Sequence, residues 1–287
     1  MSPGRTVRFA FVAAMSLGLG WSPAREKPAA AEARMTEYEV ERHPDLEYQT
    51  GPDADVRHKL DLYVPVGAKN YPVMIYIHGG GWKAGSKTLY IGLGRTFARH
   101  GIGVAIINYR LSPRVKHPGH IEDVAKAFAW VKGNIAKHGG DPANITLMGH
   151  SAGGHLAALL ATDPSYLKAE KLEPSNIRGV ISVSGVYQID PAADLYIPAF
   201  GTDESECRKA SPMTYVKEKH PPFLIAYAEN DYATFDRMAI DFHAALEKAR
   251  VSSSLLKVEN RNHISVIVSV LSDVDPLNEA VRKFILK

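Results

Sequence analysis

From about Glu37 onward, short apolar or β-branched runs alternate with longer stretches whose apolar residues fall three or four apart. The short runs are Leu60–Val64, Val73–Ile77, Gly103–Asn108, Ile145–Met148, Gly179–Val183, Phe223–Ala228 and Ser253–Val258. Several are continuously apolar rather than alternating, the pattern of strands covered on both faces of a parallel sheet. Among the longer stretches, Ile121–Lys137 is clearest: Val124, Phe128, Val131 and Ile135 share one helix face, and Gly139-Gly140 stops the run. Further helices are predicted over roughly Tyr90–Arg99, Ala152–Ala161, Phe235–Arg250 and Leu277–Leu286. Strand and helix in steady alternation predict an α/β protein: a mostly parallel central sheet with helices on both faces. Tyr187–Pro222 breaks the pattern, being rich in Pro, Asp and Lys. Such a stretch between two sheet strands reads as a lid-like or substrate-binding insertion, or as a surface excursion with one short helix.

Composition adds limits. The 287 residues are 45% hydrophobic and 23% charged, with a formal net charge of +3, too small to argue for nucleic acid or an anionic membrane. The single cysteine, Cys207, excludes an internal disulfide and a cysteine-based zinc site. The first residues differ from the rest. Arg5 and Arg8 precede an apolar stretch from Phe9 to Trp21, and a small-residue run ends at Ala31-Glu32-Ala33. Basic start, short apolar core and A-x-A-like end, in that order, predict a signal peptide over 1–33, hence export, and a single catalytic domain over 34–287. The apolar stretch is too short to span a bilayer comfortably.

Candidate chemistry begins where the run Ile145–Met148 meets a helix, at Gly149-His150-Ser151-Ala152-Gly153. This is G-x-S-x-G: a serine on a sharp strand-to-helix turn, its hydroxyl exposed above the sheet, its neighbours glycine because a Cβ would collide with backbone. The following helix aims its N-terminal N–H groups at the same spot. Glycines serving only a tight turn around an ordinary serine are the bland alternative. After Val73–Ile77 comes His78-Gly79-Gly80-Gly81-Trp82, a loop able to direct backbone donors at a developing oxyanion. Gly80, Gly81 and Ala152 are the expected donors, with Gly79 a further possibility. Gly80–Gly85 also has phosphate-loop glycine spacing, but Ser86 stands where that motif requires lysine.

A serine nucleophile in this topology is followed by an acid and then a histidine, each just past a strand. Asp231 follows Phe223–Ala228, and His263 follows the next strand. His263 is expected to accept the serine proton, and Asp231 to fix its tautomer. Glu229 and Asp236 are rival acids. Trp82 and His150 are expected to bind substrate beside the loop and the nucleophile. His117, His120 and His155 read as structural, and no H-E-x-x-H helix surrounds them. No metal or organic cofactor is expected.

Together His78–Trp82, Asn108–Pro113, Asp123 through Trp130, Gly139–Pro142, Gly149–Gly154 and the Asp231 and His263 positions resemble the hormone-sensitive-lipase-like (bacterial family IV) esterases. The resemblance is strongest to short feruloyl-esterase-like and isoprenylcysteine-methylesterase-like members, and it runs from about Leu60 to the C-terminus. It implies the α/β-hydrolase fold and a support role for Tyr109 and Arg110 behind the oxyanion loop. Two departures stand out. Only about forty residues separate the predicted cleavage site from His78, fewer than those relatives' helical cap, which implies an open site with room for bulky or polymeric esters. Asp231 is followed by Tyr-Ala where Pro-Leu is common.

The leading expectation is a carboxylic-ester hydrolase of short-chain or aryl esters, with a small-molecule ester as its partner and an acyl-enzyme intermediate. An aryl-formamidase of the N-formylkynurenine type is the second reading, because an HGGxW loop with the same three residues is similar to kynurenine formamidases. A non-catalytic α/β-hydrolase binding module is the third. Oligomeric state is left open by the sequence.

Overall fold

The computed structural model describes residues 37–287; the predicted signal peptide lies outside them. Eight strands form one sheet in the order β1-β2-β4-β3-β5-β6-β7-β8. They are β1 (Val40–Glu47), β2 (Lys59–Pro65), β3 (Tyr71–Ile77), β4 (Gly103–Ile107), β5 (Gly140–His150), β6 (Gly179–Val183), β7 (Phe223–Asn230) and β8 (Ser253–Asn262). β2 runs antiparallel to both β1 and β4, and every pair from β4 to β8 is parallel. The mostly parallel α/β sheet expected from the sequence is therefore present.

Each central strand is buried on both faces, which is why its text is continuously apolar. In β3, Val73, Ile75 and Ile77 join one core while Met74 and Tyr76 join the other. The first core is closed by α2 (Gly119–Asn134), α3 (Ala152–Thr162) and α7 (Phe235–Lys248). The second is closed by α1 (Ile91–Arg99), α8 (Ser265–Ser269) and α9 (Pro276–Ile285). Every residue of α3 is buried, so its text lacks a polar face. α2 is shorter than expected: its last turn tightens to a 3-10 turn over Ile135–His138, closed by Gly139 at φ 90°.

The predicted insertion lies between β6 and β7 and carries α5 (Ile197–Phe200) and α6 (Glu204–Lys209). The remaining helix, α4 (Pro164–Ala169), starts at Asp163, whose side chain accepts from the Ser165 amide. Tyr187, Ile189, Tyr196, Ala199, Phe200, Cys207 and Ala210 all enter the first core, so much of the insertion is packed chain. Among the described residues, no helix is long and apolar enough to cross a membrane.

Candidate active site

Parallel strands end at one edge of the sheet, and β3, β5, β7 and β8 each release a polar segment there. Ser151 sits between β5 and α3 at φ 55° and ψ −120°. A non-glycine residue seldom adopts that conformation. Two contacts hold it: the Ser151 amide donates to the Val183 carbonyl at 2.9 Å, and the His155 amide donates to the Ser151 carbonyl at 3.0 Å. The turn requires its glycines. A Cβ on Gly149 would lie 2.1 Å from the Gly153 carbonyl oxygen, and one on Gly153 would lie 2.0 Å from that of Ile77. Ala152 opens α3, where a first-turn amide has no intrahelical acceptor.

The loop after β3 folds tightly on itself. Gly80 has φ 119°, and its carbonyl accepts from the Lys83 and Ala84 amides at 3.1 and 3.0 Å. Behind it, Arg57 donates to the carbonyls of Tyr109 (2.6 Å) and Gly85 (2.9 Å) and approaches His78 Nε2 at 3.2 Å. A guanidinium can only donate, so His78 Nε2 accepts and His78 Nδ1 donates to the Gly79 carbonyl at 2.8 Å. Burial pushes the His78 imidazole down to about 4, in keeping with a neutral ring. Because the peptide is planar and trans, turning the Gly79 carbonyl toward His78 aims the Gly80 N–H the opposite way.

Tyr109 donates to the His78 carbonyl at 3.0 Å and stacks on its ring, as the resemblance implied. Arg110 is turned away from this loop and grips Asp123 of α2 through two side-chain nitrogens. Arg57 occupies the supporting place instead, and nothing in its local sequence signals that.

Asp231 directly follows β7 and His263 directly follows β8, and His263 Nδ1 lies 2.6 Å from Asp231 Oδ1. The carboxylate also accepts from the Tyr232 amide (2.8 Å), the Ala228 amide (3.1 Å) and the Ser184 hydroxyl (2.5 Å). Burial pushes the Asp231 carboxyl up, and the bonds from His263, Ser184 and Tyr232 more than reverse this, leaving it below the ordinary range. The rivals lie elsewhere. Glu229 is exposed and pairs with Lys257 at 2.8 Å, and Asp236 is exposed on the first turn of α7. Ser184 escaped the sequence reading; a serine beside a glycine just past a strand was its only signal.

Ser151, His263, Gly80, Gly81 and His150 line a cavity of about 480 Å³, within the usual range of small-molecule sites. Its other walls are largely apolar: Leu89, Val186, Leu195, Tyr232, Phe235 and Ile264. Trp82 borders this cavity, but its indole is 1% exposed. It donates to His155 Nδ1 at 3.3 Å and packs edge-on against Tyr196 and Phe200, tying the loop to the insertion. His150 also borders the cavity while its Nε2 donates to the His263 carbonyl at 2.8 Å. Burial, then nearby His263, pushes its ring down to about 4. Of the three histidines read as structural, His155 donates to the Ala210 carbonyl (2.7 Å), His120 meets Ser112 (3.0 Å) and His117 meets Tyr166 (3.3 Å). Among the described residues, no three His, Cys, Asp or Glu side chains are grouped to hold a metal ion.

The BD-FAE family model matches residues 60–246, more than half of the chain. Esterase LipQ of Mycobacterium tuberculosis is 33% identical over 67% of this chain and 50% of its own length. Kynurenine formamidase of Salmo salar is 28% identical over 80% of this chain and 78% of its own. The chain spans about half the length of the first esterase relatives it matches. Among solved structures, esterase B of Lactobacillus rhamnosis superposes with a TM-score of 0.71 at 25% identity, covering 85% of this chain and 86% of that one. Site geometry, strand order and these likenesses agree, and the chain belongs to the BD-FAE family, of the hormone-sensitive-lipase-like α/β-hydrolase type.

Proposed function

We propose that this chain is a serine carboxylic-ester hydrolase (EC 3.1.1) that acts on short-chain or aryl esters through an acyl-enzyme. The observation that carries this is one cavity lined by Ser151, on its strained turn, and by His263, bonded to Asp231. Ser151 Oγ attacks the ester carbonyl while His263 takes its proton, and the carbonyl oxygen becomes an oxyanion facing the N–H groups of Gly80, Gly81 and Ala152. His263 then returns the proton to the departing alkoxide, leaving the acyl group on Ser151. A water molecule, deprotonated by the same imidazole, then attacks the acyl carbon; the bond to Ser151 Oγ breaks, His263 returns the proton to that oxygen, and the acid leaves. Asp231 holds His263 in the tautomer with Nδ1–H, which leaves Nε2 free for the serine. The apolar walls favour small acyl groups and aromatic rings over charged ones.

The test is hydrolysis of p-nitrophenyl acetate, butyrate, octanoate and palmitate by wild type and Ser151→Ala. Rates falling with chain length, and about a thousand-fold or greater loss in the variant, are expected. Full activity in Ser151→Ala rejects the proposal. A second reading, aryl-formamide hydrolysis, is favoured by the likeness to the salmon kynurenine formamidase. N-formylkynurenine in the same panel separates the two: turnover of it without ester turnover selects the formamidase.

A further inference from the structure

We propose that Tyr232 is a positioning residue that stabilises the protonated form of His263 by stacking on its imidazole, an inference that rests on the triad reading above. The two ring centroids lie 4.1 Å apart with the planes 24° from parallel. That places any charge on the imidazole over the face of the phenol ring, inside the range of a cation–π contact. Tyr232 is 55% exposed, so burial alone gives little reason for it to lie there. Its place is fixed through the backbone. The Tyr232 amide donates to Asp231 Oδ1, the same oxygen that faces His263 Nδ1. One carboxylate oxygen thus anchors both the imidazole and the residue whose ring covers it.

The other groups around His263 leave this role to Tyr232. From the end of β5, His150 tilts against it at 4.8 Å, and burial keeps that ring neutral near pH 7. From α7, Phe235 meets it edge-to-face at 5.1 Å, while Asp236 faces solvent. From the segment after β6, Ser184 acts on it only through Asp231. On the strand that precedes it, Arg261 is committed to Asp275 at 3.1 Å. α8 follows directly and its five residues carry no charge. Lys83 lines the same cavity, and its charge opposes protonation. Asp231 is the counter-charge, and Tyr232 is the ring stacked face-on against the imidazole. Only Asp231 is expected from the fold's chain order.

The imidazole becomes a cation only after it has taken the serine proton. A neutral imidazole gains less from the face of Tyr232 than an imidazolium does, so the contact acts preferentially in the transition state. Losing it lowers kcat. It also makes His263 easier to deprotonate, so the acidic limb of kcat/KM moves to lower pH.

The test uses the full chain, with p-nitrophenyl acetate as substrate, and compares Tyr232→Leu, Tyr232→Gln, Tyr232→Phe and Tyr232→Trp across pH 5 to 9. The two non-aromatic variants are expected to lose about two- to five-fold in kcat and to shift the acidic limb down by a few tenths of a pH unit. Phe and Trp, which keep an aromatic face, are expected to restore both. If Leu and Gln change only KM, Tyr232 is a wall of the cavity and the proposal fails. If Phe behaves like Leu, the hydroxyl rather than the ring matters, and it fails again. Activity that depends on Ser151 but is unchanged in Tyr232→Leu overturns this inference alone; activity that survives in Ser151→Ala overturns the proposed function beneath it.

Discussion

Asp231 receives two backbone amides, a serine hydroxyl and the His263 ring nitrogen on its two oxygens. A carboxylate so held can only accept, which fixes the histidine as the Nδ1–H tautomer. Asp231→Asn keeps the shape but offers an amide that can also donate, so the imidazole loses its orientation and the imidazolium its counter-charge. Steady-state assay is expected to show kcat lower by about a thousand- to ten-thousand-fold, with circular dichroism unchanged. A drop smaller than ten-fold would assign the acid role elsewhere. Ser151, Asp231 and His263 are legible in the chain because topology demands a particular residue type just past a strand, and short motifs mark the place. Arg57 and Ser184 are not. Arg57 meets Tyr109 across fifty-two positions, and Ser184 meets Asp231 across forty-seven. No local pattern encodes such distances.

Among elements, legibility follows burial. β3 to β7 are covered on both faces and announce themselves as apolar runs, whereas β1 goes unread. Its eight residues, VERHPDLE, are mostly exposed, include Pro44, and carry a register shift between His43 and Leu46. An edge strand needs no apolar alternation and tolerates proline. It is held instead by an ion cluster around the buried Asp61 and Lys87: Lys87 contacts Asp45 (2.8 Å) and Asp61 (2.5 Å), and Arg42 contacts Asp61 (2.6 Å). The Lys87 amide also donates to the Asn108 side chain at 2.7 Å. That cluster joins the sheet edge to the chain that continues from the glycine loop after β3. The insertion is the opposite case. Its polar, irregular text hides apolar anchors such as Tyr187, Tyr196 and Phe200, which lack a helical or strand period because they come from loops and single turns.

Across the whole molecule, five histidines, four buried and His117 half-buried, respond to pH together. Burial is the largest cause in each: His78, His117, His120 and His150 are pushed down to about 4, and His155 to about 3. In the unfolded chain each takes a proton near the ordinary value of about 6.5. The unfolded state therefore binds more protons between about pH 6.5 and 4, and stability falls as pH falls through that window. By pH 5.5 the loss is about 1 kcal/mol per histidine, and the five together lower Tm by about 10–20 °C for a domain of this size. Thermal unfolding from pH 7.5 to 5.5 checks it; a constant Tm would mean that these rings protonate in place.

Covalent capture of Ser151 is the most direct measurement. Wild type and Ser151→Ala are incubated with diethyl p-nitrophenyl phosphate, and intact mass, peptide mass and residual ester hydrolysis are followed together. One diethylphosphoryl group on the peptide that contains Ser151, appearing at the rate at which hydrolysis disappears and absent in the variant, is the expected result. Hydrolysis that continues after Ser151 is fully labelled, or a label that inactivates the protein from another residue, would contradict a serine hydrolase built on this turn.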